Sequence, residues 1–429
     1  MNEPPDPEAT DTKEPKEAKA RPLGFGSLLA LGINGIVGVG IFFAPAEIAG
    51  LAPGWGSLAV LVVTGAALLP VALAVSTMGS RFDEDGGPVL YARLAFGETA
   101  GFVVGWLAYV SALFSAGTVM VGLTNAVLPD VGPITMRLAA VALVTVLAIV
   151  CATGVKVSAR VWTGLTILKL LPLIGLAVIT LVHDAPADVP APAAVDFAHT
   201  PWLRACLKAT FVFQGFEIVP VIAGQARASS RTIPPAVIGS LLSATVIYLL
   251  LQRGAVRGVA DLAGAGAPLV ATANAYAGAK FGRLVSVGTS VSALGIAFGM
   301  VATTPRYLSA LAKGTRFAKE TRGVPMLALL ATWAFVVALV FLGKFGELLT
   351  LSSLAVVMQY LIVALALVRF AARKERNLTL ARAWPAFPTA IVALALISGA
   401  TWKEWLVAGA CALVGGLLRV WHRGREARA

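Results

Sequence analysis

The first long apolar segment of the chain, from about Gly24 to Gly50, carries helix-disfavouring residues at its centre. A helix of that length would cross a bilayer, yet the central stretch reads Gly35-Ile-Val-Gly-Val-Gly-Ile-Phe-Phe-Ala-Pro45. Gly costs about 1 kcal/mol and Pro about 3 kcal/mol inside a helix. The pattern predicts a membrane helix interrupted at mid-depth, where free N–H groups and a half-helix N-terminus would attract a carboxylate. Close helix packing through small residues is the alternative interpretation.

The rest of the sequence repeats this apolar character and predicts an all-α polytopic membrane protein. Of its 429 residues 58% are hydrophobic and 13% are charged, with a mean hydropathy of +0.84, whereas soluble domains carry about 25% charged residues. The net charge of +12 lies mostly in loops, so it indicates membrane orientation and not nucleic-acid binding. Twelve spans are expected, near 24–50, 55–80, 97–127, 134–153, 160–182, 201–226, 232–256, 283–312, 325–342, 346–369, 385–400 and 403–421.

The basic residues predict an orientation with both termini in the cytoplasm, in the cell's inner membrane. With that placement 23 of the 34 Lys and Arg residues lie inside, 9 lie outside and two fall within spans. The first 22 residues are polar and mixed in charge, which predicts a disordered tail. The expected organisation is a cytoplasmic tail at 1–22, helices 1–5 in 23–183, helices 6–10 in 200–370, helices 11 and 12 in 384–422, and a second cytoplasmic tail at 423–429.

Two ionisable residues fall deep within predicted spans. Lys169 lies about nine residues from the basic residue that begins its span, roughly 13 Å along a helix, and Glu217 lies in the middle of span six. Burial disfavours the charged form of either group, which suits both to carry a proton. A snorkelling lysine and a glutamate that braces neighbouring helices by a fixed hydrogen bond are the open alternatives. Arg306, near the inner end of span eight, is interpreted as an interface anchor.

Span six is expected to be interrupted as well, because Gln214, Gly215 and Pro220 surround Glu217. Interrupted helices five spans apart indicate two five-helix repeats, inverted in the membrane, with a solute held between the broken pair. Aromatic residues near the breaks are candidates to stack on or gate a ligand: Phe42, Phe43, Tyr109, Phe211, Phe213 and Phe216.

Four short motifs, in order and over residues 22–420, resemble those of the amino acid–polyamine–organocation (APC) transporters. They are Gly38-Val-Gly40-Ile-Phe42 with Pro45, Gly86-Gly-Pro88 with Tyr91, Phe213-Gln-Gly215-Phe216-Glu217 with Gly224 and Arg231-Thr-Ile-Pro234, and Pro305-Arg306-Tyr307 with Ala312-Lys313. The resemblance implies the LeuT-like fold, a five-plus-five inverted repeat with broken helices 1 and 6 and two further helices. It also implies an amino acid or amine as substrate, with no cofactor and no metal.

The resemblance also implies roles for residues at the breaks. The N–H groups of Gly38, Val39 and Gly40 would hold the substrate carboxylate. Carbonyls near Ile36 and near Gln214, which precedes Gly215, would hold its amine, and Phe211 would close over it.

For the ionisable groups, the resemblance implies that Glu217 serves proton linkage or structural coupling. Lys169 matches a helix-five lysine that stands where sodium-coupled relatives bind their ion, which implies a sodium-independent, proton-coupled or exchange mechanism. The chain departs from the family pattern with Val at 39, Gln225-Ala-Arg227, Ser229 and Pro305. These departures concern gating and substrate choice.

The main hypothesis is therefore a secondary amino acid transporter, and three alternatives remain beside it. An exchanger of amino acids or amines is not separable from a proton symporter by sequence. A solute sensor usually needs a long terminal domain, which this sequence does not offer. A membrane enzyme would need a catalytic cluster, whereas His183, His199 and His422 fall in loops or the tail without partners nearby in sequence. A small neutral or hydrophobic substrate is favoured, because the expected pocket offers few carboxylates; oligomeric state is not readable.

Overall fold

A computed structural model describes residues 23–426 except 39, 83, 129–130 and 155–158, with the main chain alone at 159–167 and 421–426. The predicted tails and Val39 thus lie outside or at the limits of the described residues. The α-helices, in order, are α1 Phe25–Ile36, α2 Gly40–Ala49, α3 Trp55–Gly79, α4 Gly87–Phe96, α5 Glu98–Val127, α6 Pro133–Ala152, α7 Ala159–Val182, α8 Trp202–Phe213, α9 Ile218–Val221, α10 Ser229–Gly258, α11 Pro268–Leu311, α12 Met326–Leu342, α13 Phe345–Ala372, α14 Ala386–Ser398 and α15 Trp402–Glu426.

Helices dominate because each long apolar segment must satisfy its backbone hydrogen bonds internally in lipid. By length and hydropathy six of the described helices can cross a membrane alone, namely α3, α5, α6, α10, α11 and α13. The number rises to eight if the bent pairs α1–α2 and α14–α15 each count as one span. The apolar part of α7, Leu168–Val182, and α12 are shorter. The expected all-α polytopic membrane fold is confirmed, with helical segments at all twelve predicted positions.

Both predicted helix interruptions are present. The chain bends by 46° between α1 and α2, and α8 ends at Phe213 before a turn that leads into the single-turn helix α9. Pro45 lies inside α2, so the glycine-rich stretch before Gly40, and not the proline, marks the first break. Span six is less regular than predicted, because α9 is followed by a 3₁₀ turn at Ala223–Gln225.

Helix contacts repeat between the two halves of the chain, as an inverted repeat requires. When spans one to five are matched to spans six to ten, α1 packing on α10 corresponds to α8 and α9 packing on α3. In the same way α5 on α13 corresponds to α11 on α7, α5 on α6 to α11 on α12, and α7 on α10 to α13 on α3. Such exchanged pairs are those that a two-fold pseudo-symmetry produces, so the LeuT-like five-plus-five architecture is confirmed.

Three elements refine the spans read in the sequence. The segment between predicted spans two and three contains a short helix, α4, which has Pro88 in its first turn. The predicted span 283–312 is preceded by a helical segment that belongs to α11, and the chain changes direction between the two at Gly278, where φ is +76°. The predicted helices 11 and 12 are α14 and α15, which meet at an angle of 112°.

The end of the bundle at which α1 begins is named the inner end, following the predicted orientation, and the opposite end the outer end. At the inner end the Leu23 N–H donates to the Gln225 carbonyl at 2.8 Å, and the Arg227 N–H donates to the Leu23 carbonyl at 2.8 Å. Asp85, just before α4, accepts from the Gly224 N–H at 3.0 Å. The two Leu23 bonds join the start of the first broken helix to the segment that follows the second, and the Asp85 bond joins the segment before α4 to the same place.

Candidate functional site

The two helix breaks cross each other at a pair of glycines. Gly215 has a φ of +126°, a conformation that strongly favours glycine. A Cβ atom at Gly215 would overlap the carbonyl of Gly35, and a Cβ at Gly35 would lie 2.9 Å from the Gly215 carbonyl oxygen. Glycine at both positions therefore lets the backbones of the two interrupted helices touch.

A cavity of about 300 Å³ lies beside this crossing, enclosed by both breaks, α5 and α11. The predicted residues Ile36, Gly38, Gly40, Phe211 and Gln214 all line it. Gly35, from the glycine-rich stretch of the first break, lines it as well. The sequence did not single out the other lining residues, which are Asn34, Ser115, Val119, Ile296, Gly299, Met300 and Thr303. None of the described lining residues is charged, so the cavity presents backbone and neutral polar groups to a ligand.

Backbone polarity in the cavity comes from the helix ends. Because α2 begins at Gly40, its first N–H groups have no partner within that helix and point back toward the break. The Gly38 N–H, also predicted as a donor to ligand, is instead directed at the Ile36 carbonyl at 2.6 Å. The positive end of α2 is therefore the main backbone feature that can receive a carboxylate here.

A second cavity of about 290 Å³ adjoins the first and continues toward the inner end. The two share Gly35, Ser115, Gln214 and Met300 among their walls. The second is further lined by inner-end residues and by two predicted site residues: Gly86, Pro88, Val89, Val221, Tyr307, Gly215 and Glu217. It is thus a path between the crossing of the two breaks and the inner end, named here the vestibule.

Lys169 lies behind the first break and is 5% exposed. Its ammonium donates to the carbonyl of Val37 at 2.6 Å and to that of Asn34 at 3.0 Å. These carbonyls are among the last of α1, where the helix dipole is negative and carbonyls lack helical partners. The snorkelling alternative is therefore wrong, because the ammonium is directed into the protein and onto the broken helix.

Glu217 bonds to the break that it follows. Its Oε2 accepts from the Gly215 N–H at 2.9 Å, and the Tyr360 hydroxyl on α13 donates to the same oxygen at 3.4 Å. The bond to Gly215 satisfies a donor that the interruption frees from the helix. The carboxyl thus has the geometry of a brace, and Glu217 also lines the vestibule.

Tyr248 on α10 bridges both breaks and was not identified from the sequence. Its hydroxyl lies 2.8 Å from the Ile36 carbonyl oxygen and 3.0 Å from that of Val212, and the residue is fully buried. A hydroxyl has one proton to donate, so the two carbonyls share it. A tyrosine in a long apolar span usually only packs, so nothing in the residue pattern pointed to Tyr248.

Serine hydroxyls connect the cavity wall to the second break. Ser115 on α5 and Ser352 on α13 lie 2.7 Å apart, oxygen to oxygen, and Ser352 donates to the Gln214 side-chain oxygen at 3.3 Å. Ser353 lies 3.5 Å from the Gln214 amide nitrogen. This network fixes the orientation of the Gln214 side chain at the cavity.

Tyr109, another predicted ligand contact, lies elsewhere. It is not among the residues that line the cavity, and its hydroxyl shares a hydrogen bond with Thr332 on α12 at 3.2 Å. Tyr109 and Ser115 lie on different faces of α5, about 120° apart at 100° per residue. Arg306, interpreted as an anchor, is exposed and donates to the Gly323 carbonyl at 3.3 Å.

The outer side of the cavity is closed by aromatic and charged side chains. Phe43 on α2 and Phe345 at the start of α13 meet edge to face, with ring centroids 5.7 Å apart. Beyond them the Lys208 ammonium contacts the Glu47 carboxylate at 2.5 Å. A Cβ at Gly346 would collide with both charged groups, so the ion pair packs directly on the first turn of α13.

Among the described residues, no group of three or more His, Cys, Asp or Glu side chains is placed to hold a metal ion.

Comparison with known proteins agrees with this arrangement. The family described as amino acid permease matches residues 23–407. An uncharacterized transporter of Mycobacterium tuberculosis is 27% identical over 365 residues, which cover 82% of this chain and 81% of the relative. The serine/threonine exchanger SteT of Bacillus subtilis is 25% identical over 303 residues, 66% of each chain. The glutamate/serine transporter AimA of the same organism is 29% identical over 256 residues, 54% of this chain and 46% of the relative. With the family match spanning most of its length, this chain belongs to the amino acid permeases of the APC superfamily.

Proposed function

We propose that this protein is a secondary transporter that carries small neutral amino acids across the cytoplasmic membrane by alternating access, coupled to protons and independent of sodium. The observation that carries the proposal is the cavity between the two helix breaks, together with the Lys169 ammonium bound to the carbonyls of the first break. Both termini lie in the cytoplasm in this proposal, as the distribution of basic residues indicates.

The substrate is bound as a zwitterion. Its carboxylate lies at the first turn of α2, at Gly40, and its ammonium lies near the carbonyls of Ile36 and the second break. Phe211, 8% exposed, stands at the side of the cavity where it can close over the ligand. The neutral lining leaves a second substrate charge without a partner, and charge desolvated in this way is costly. Ser115 and Gln214 suit a hydroxyl side chain, and two of the relatives have serine in their names, so serine is the first substrate to test.

Lys169 is the group that carries the proton. While it is charged, its ammonium holds the end of α1 through two carbonyls. Loss of the proton removes the attraction to the helix dipole and leaves only neutral hydrogen bonds, which are weaker than charge-assisted ones. Proton binding at Lys169 is thereby linked to the position of α1, which is one half of the substrate site. Glu217 serves as the brace of the second break.

The vestibule and the outer closure correspond to one state of the transport cycle. A substrate would leave toward the inner end, past Gly86 and Val221, while Phe43, Phe345 and the Lys208–Glu47 pair block the outer end. Alternating access requires a second state, in which the vestibule closes and the outer contacts separate.

Reconstituted vesicles test the proposal directly. Purified protein in liposomes should accumulate labelled serine when a pH gradient is imposed, equally well with sodium or choline in the buffer. Absence of any flux with a panel of neutral amino acids, although the protein binds one of them, would contradict transport and favour a sensor. Uptake only into vesicles preloaded with amino acid would indicate an obligate exchanger, as the name of one relative suggests.

Substitution of Lys169 separates coupling from transport. Lys169→Met keeps the bulk of the side chain and removes the charge, so it should abolish gradient-driven accumulation while counterflow persists. Lys280→Met, at an exposed lysine of α11, is the control and should behave as the unmodified protein. Full gradient-driven accumulation by Lys169→Met would disprove the coupling role. Loss of both activities with a lowered melting temperature would show that Lys169 is a structural clamp.

A further inference from the structure

A third cavity, of about 230 Å³, lies apart from the transport site on another face of the bundle. It is enclosed by α5, α11, α12, α15 and the segment 312–317 that follows α11. Aromatic rings form much of its wall, from Phe102, Trp106, Phe317 and Phe335. It is named here the side crevice.

The side crevice faces the lipid and offers almost nothing polar. Phe335 is 49% exposed and Val414 is 44% exposed, on helices whose outward faces meet the membrane. The polar groups of the wall are already bonded, because the Trp106 N–H donates to the Cys411 carbonyl at 2.8 Å and Tyr109 bonds to Thr332. An amino acid or a water cluster would find too few hydrogen-bond partners here. An alkyl chain has no polar groups, so it would lose no hydrogen bonds on entering the side crevice.

Positive charge stands at one end of the side crevice. Arg419 follows the wall residue Leu418, and its guanidinium lies 5.4 Å from the ring centroid of Phe102. Its Nε atom is buried and has no hydrogen-bond partner among the described residues. Arg316, which is exposed, lies between the wall residues Thr315 and Phe317. Buried polar atoms are nearly always bonded, so an unpartnered guanidinium nitrogen beside an apolar crevice indicates an absent acceptor.

We propose that the side crevice binds an anionic phospholipid, with one acyl chain against the aromatic wall and the phosphate at Arg419. The apolar wall accounts for the chain, and Arg419 accounts for the headgroup, because guanidinium binds phosphate by charge-assisted hydrogen bonds. The inner end, to which α5 and α15 bring Phe102 and Arg419, is also where basic residues meet anionic headgroups. The bound lipid lies against the lipid-facing side of α5. The opposite side of the same helix carries Ser115, which lines the transport cavity.

Native mass spectrometry of the detergent-purified full chain tests this binding. Phosphatidylglycerol and phosphatidylcholine with identical acyl chains are added separately, and the lipid-bound fraction is measured for each. The unmodified protein should retain phosphatidylglycerol about fivefold better, as one basic residue near a membrane surface would give. Equal retention of the two lipids, or retention of neither, would overturn the proposal.

Two variants and two matched controls locate the site. Arg419→Gln should remove the preference for phosphatidylglycerol, and Ala331→Phe, which fills the crevice from α12, should lower retention of both lipids. Arg231→Gln, at an exposed arginine of the inner end, and Ala338→Phe, at an exposed position of the same helix α12, should leave retention unchanged. Unchanged retention in both Arg419→Gln and Ala331→Phe would overturn the proposal. The proposal would also be overturned if the unmodified protein were a dimer that Ala331→Phe dissociates. In that case a second copy of the chain, and not a lipid, would occupy the side crevice.

Discussion

At the scale of single residues, the backbone crossing of Gly35 and Gly215 is the most demanding feature of the site. Gly215→Ala would place a methyl group on the Gly35 carbonyl at a φ that L-residues rarely adopt. The backbone strain alone costs about 1–3 kcal/mol, and relief requires the two breaks to separate. We expect a lower melting temperature and transport near background, measured by thermal unfolding and serine counterflow.

Gly266→Ala is the matched control for that variant. Gly266 has open space around its Cα and no positive φ, so its substitution should leave both measurements unchanged. Normal transport by Gly215→Ala would show that the two interrupted helices do not touch as described.

Tyr248 gives a second prediction at this scale. Tyr248→Phe removes the hydroxyl that joins the Ile36 and Val212 carbonyls, and a buried acceptor left without its donor costs about 1–3 kcal/mol. Because those carbonyls flank the proposed substrate site, we expect a raised KM for serine with a smaller change in kcat, together with a lower melting temperature. Uptake kinetics in vesicles supply both constants.

Tyr276 provides a control of the same chemistry. Its hydroxyl is buried and makes no hydrogen bond to any described residue, so Tyr276→Phe breaks no bond between helices and should leave the melting temperature and the KM for serine unchanged. If Tyr248→Phe were equally neutral in melting temperature and KM, the hydroxyl would not be holding the two breaks together.

The sequence predicted residues whose chemistry conflicts with a membrane interior, and it missed those whose chemistry does not. Lys169 and Glu217 stand out because charge in lipid is costly, and both lie at the breaks. Tyr248 and Ser352 are unremarkable members of apolar spans, and only packing brings their hydroxyls to the site. Tyr109 was predicted to contact the ligand and lies in α5, a helix that lines the cavity, but on a face of that helix that points away from the cavity.

At the scale of elements, the presence of helix interruptions was predictable from the sequence, but the exact extent of the helices beside them was not. Gly and Pro raise the cost of a continuous helix, which identified the first break. Pro45 is nevertheless helical within α2, because the tertiary contacts of that helix override a local preference. The 44-residue α11 combines the predicted span 283–312 with a helical segment before it, because the two parts join end to end at Gly278, where φ is +76° and ψ is 174°.

The outer closure gives a prediction at this scale. Gly346→Ala would place a methyl group against the Lys208–Glu47 pair, so the first turn of α13 would have to move away from α2 and α8. We expect the outward-open state to gain about 1 kcal/mol, a typical cost of a point substitution, which corresponds to about fivefold in population. A cysteine introduced at Val119, on the cavity wall, should then react about fivefold faster with a membrane-impermeant maleimide applied from the outer side.

The control for that variant is Gly132→Ala, in the loop before α6, where nothing lies within 4 Å of the added methyl group. It should leave the labelling rate unchanged. A Gly346→Ala protein that labels at the unmodified rate would show that the ion pair and α13 do not form the outer barrier.

At the scale of the whole molecule, the inverted repeat was predicted from two break positions alone. No similarity between the two halves is evident by eye, because each repeat only needs apolar helices of suitable length. The symmetry appears in packing instead, where α5 on α13 is matched by α11 on α7. The sequence therefore indicates the repeat only through the few residues that break helices. The matched helix contacts that define the repeat can be seen only in the complete fold.

The shape of the whole bundle makes one last prediction, because the vestibule joins the site to the inner end and the outer end is closed. Ala112→Cys, in a chain whose Cys151, Cys206 and Cys411 are replaced by alanine, places a thiol on the vestibule wall. Inverted vesicles should expose that thiol to impermeant maleimide, right-side-out vesicles should shield it, and serine should slow the reaction as its binding shifts the population of states. Val62→Cys, 47% exposed on α3 toward lipid, should react in neither preparation. Labelling of Ala112→Cys only in right-side-out vesicles would place the vestibule outside the cell, and the orientation inferred from the basic residues would then be reversed.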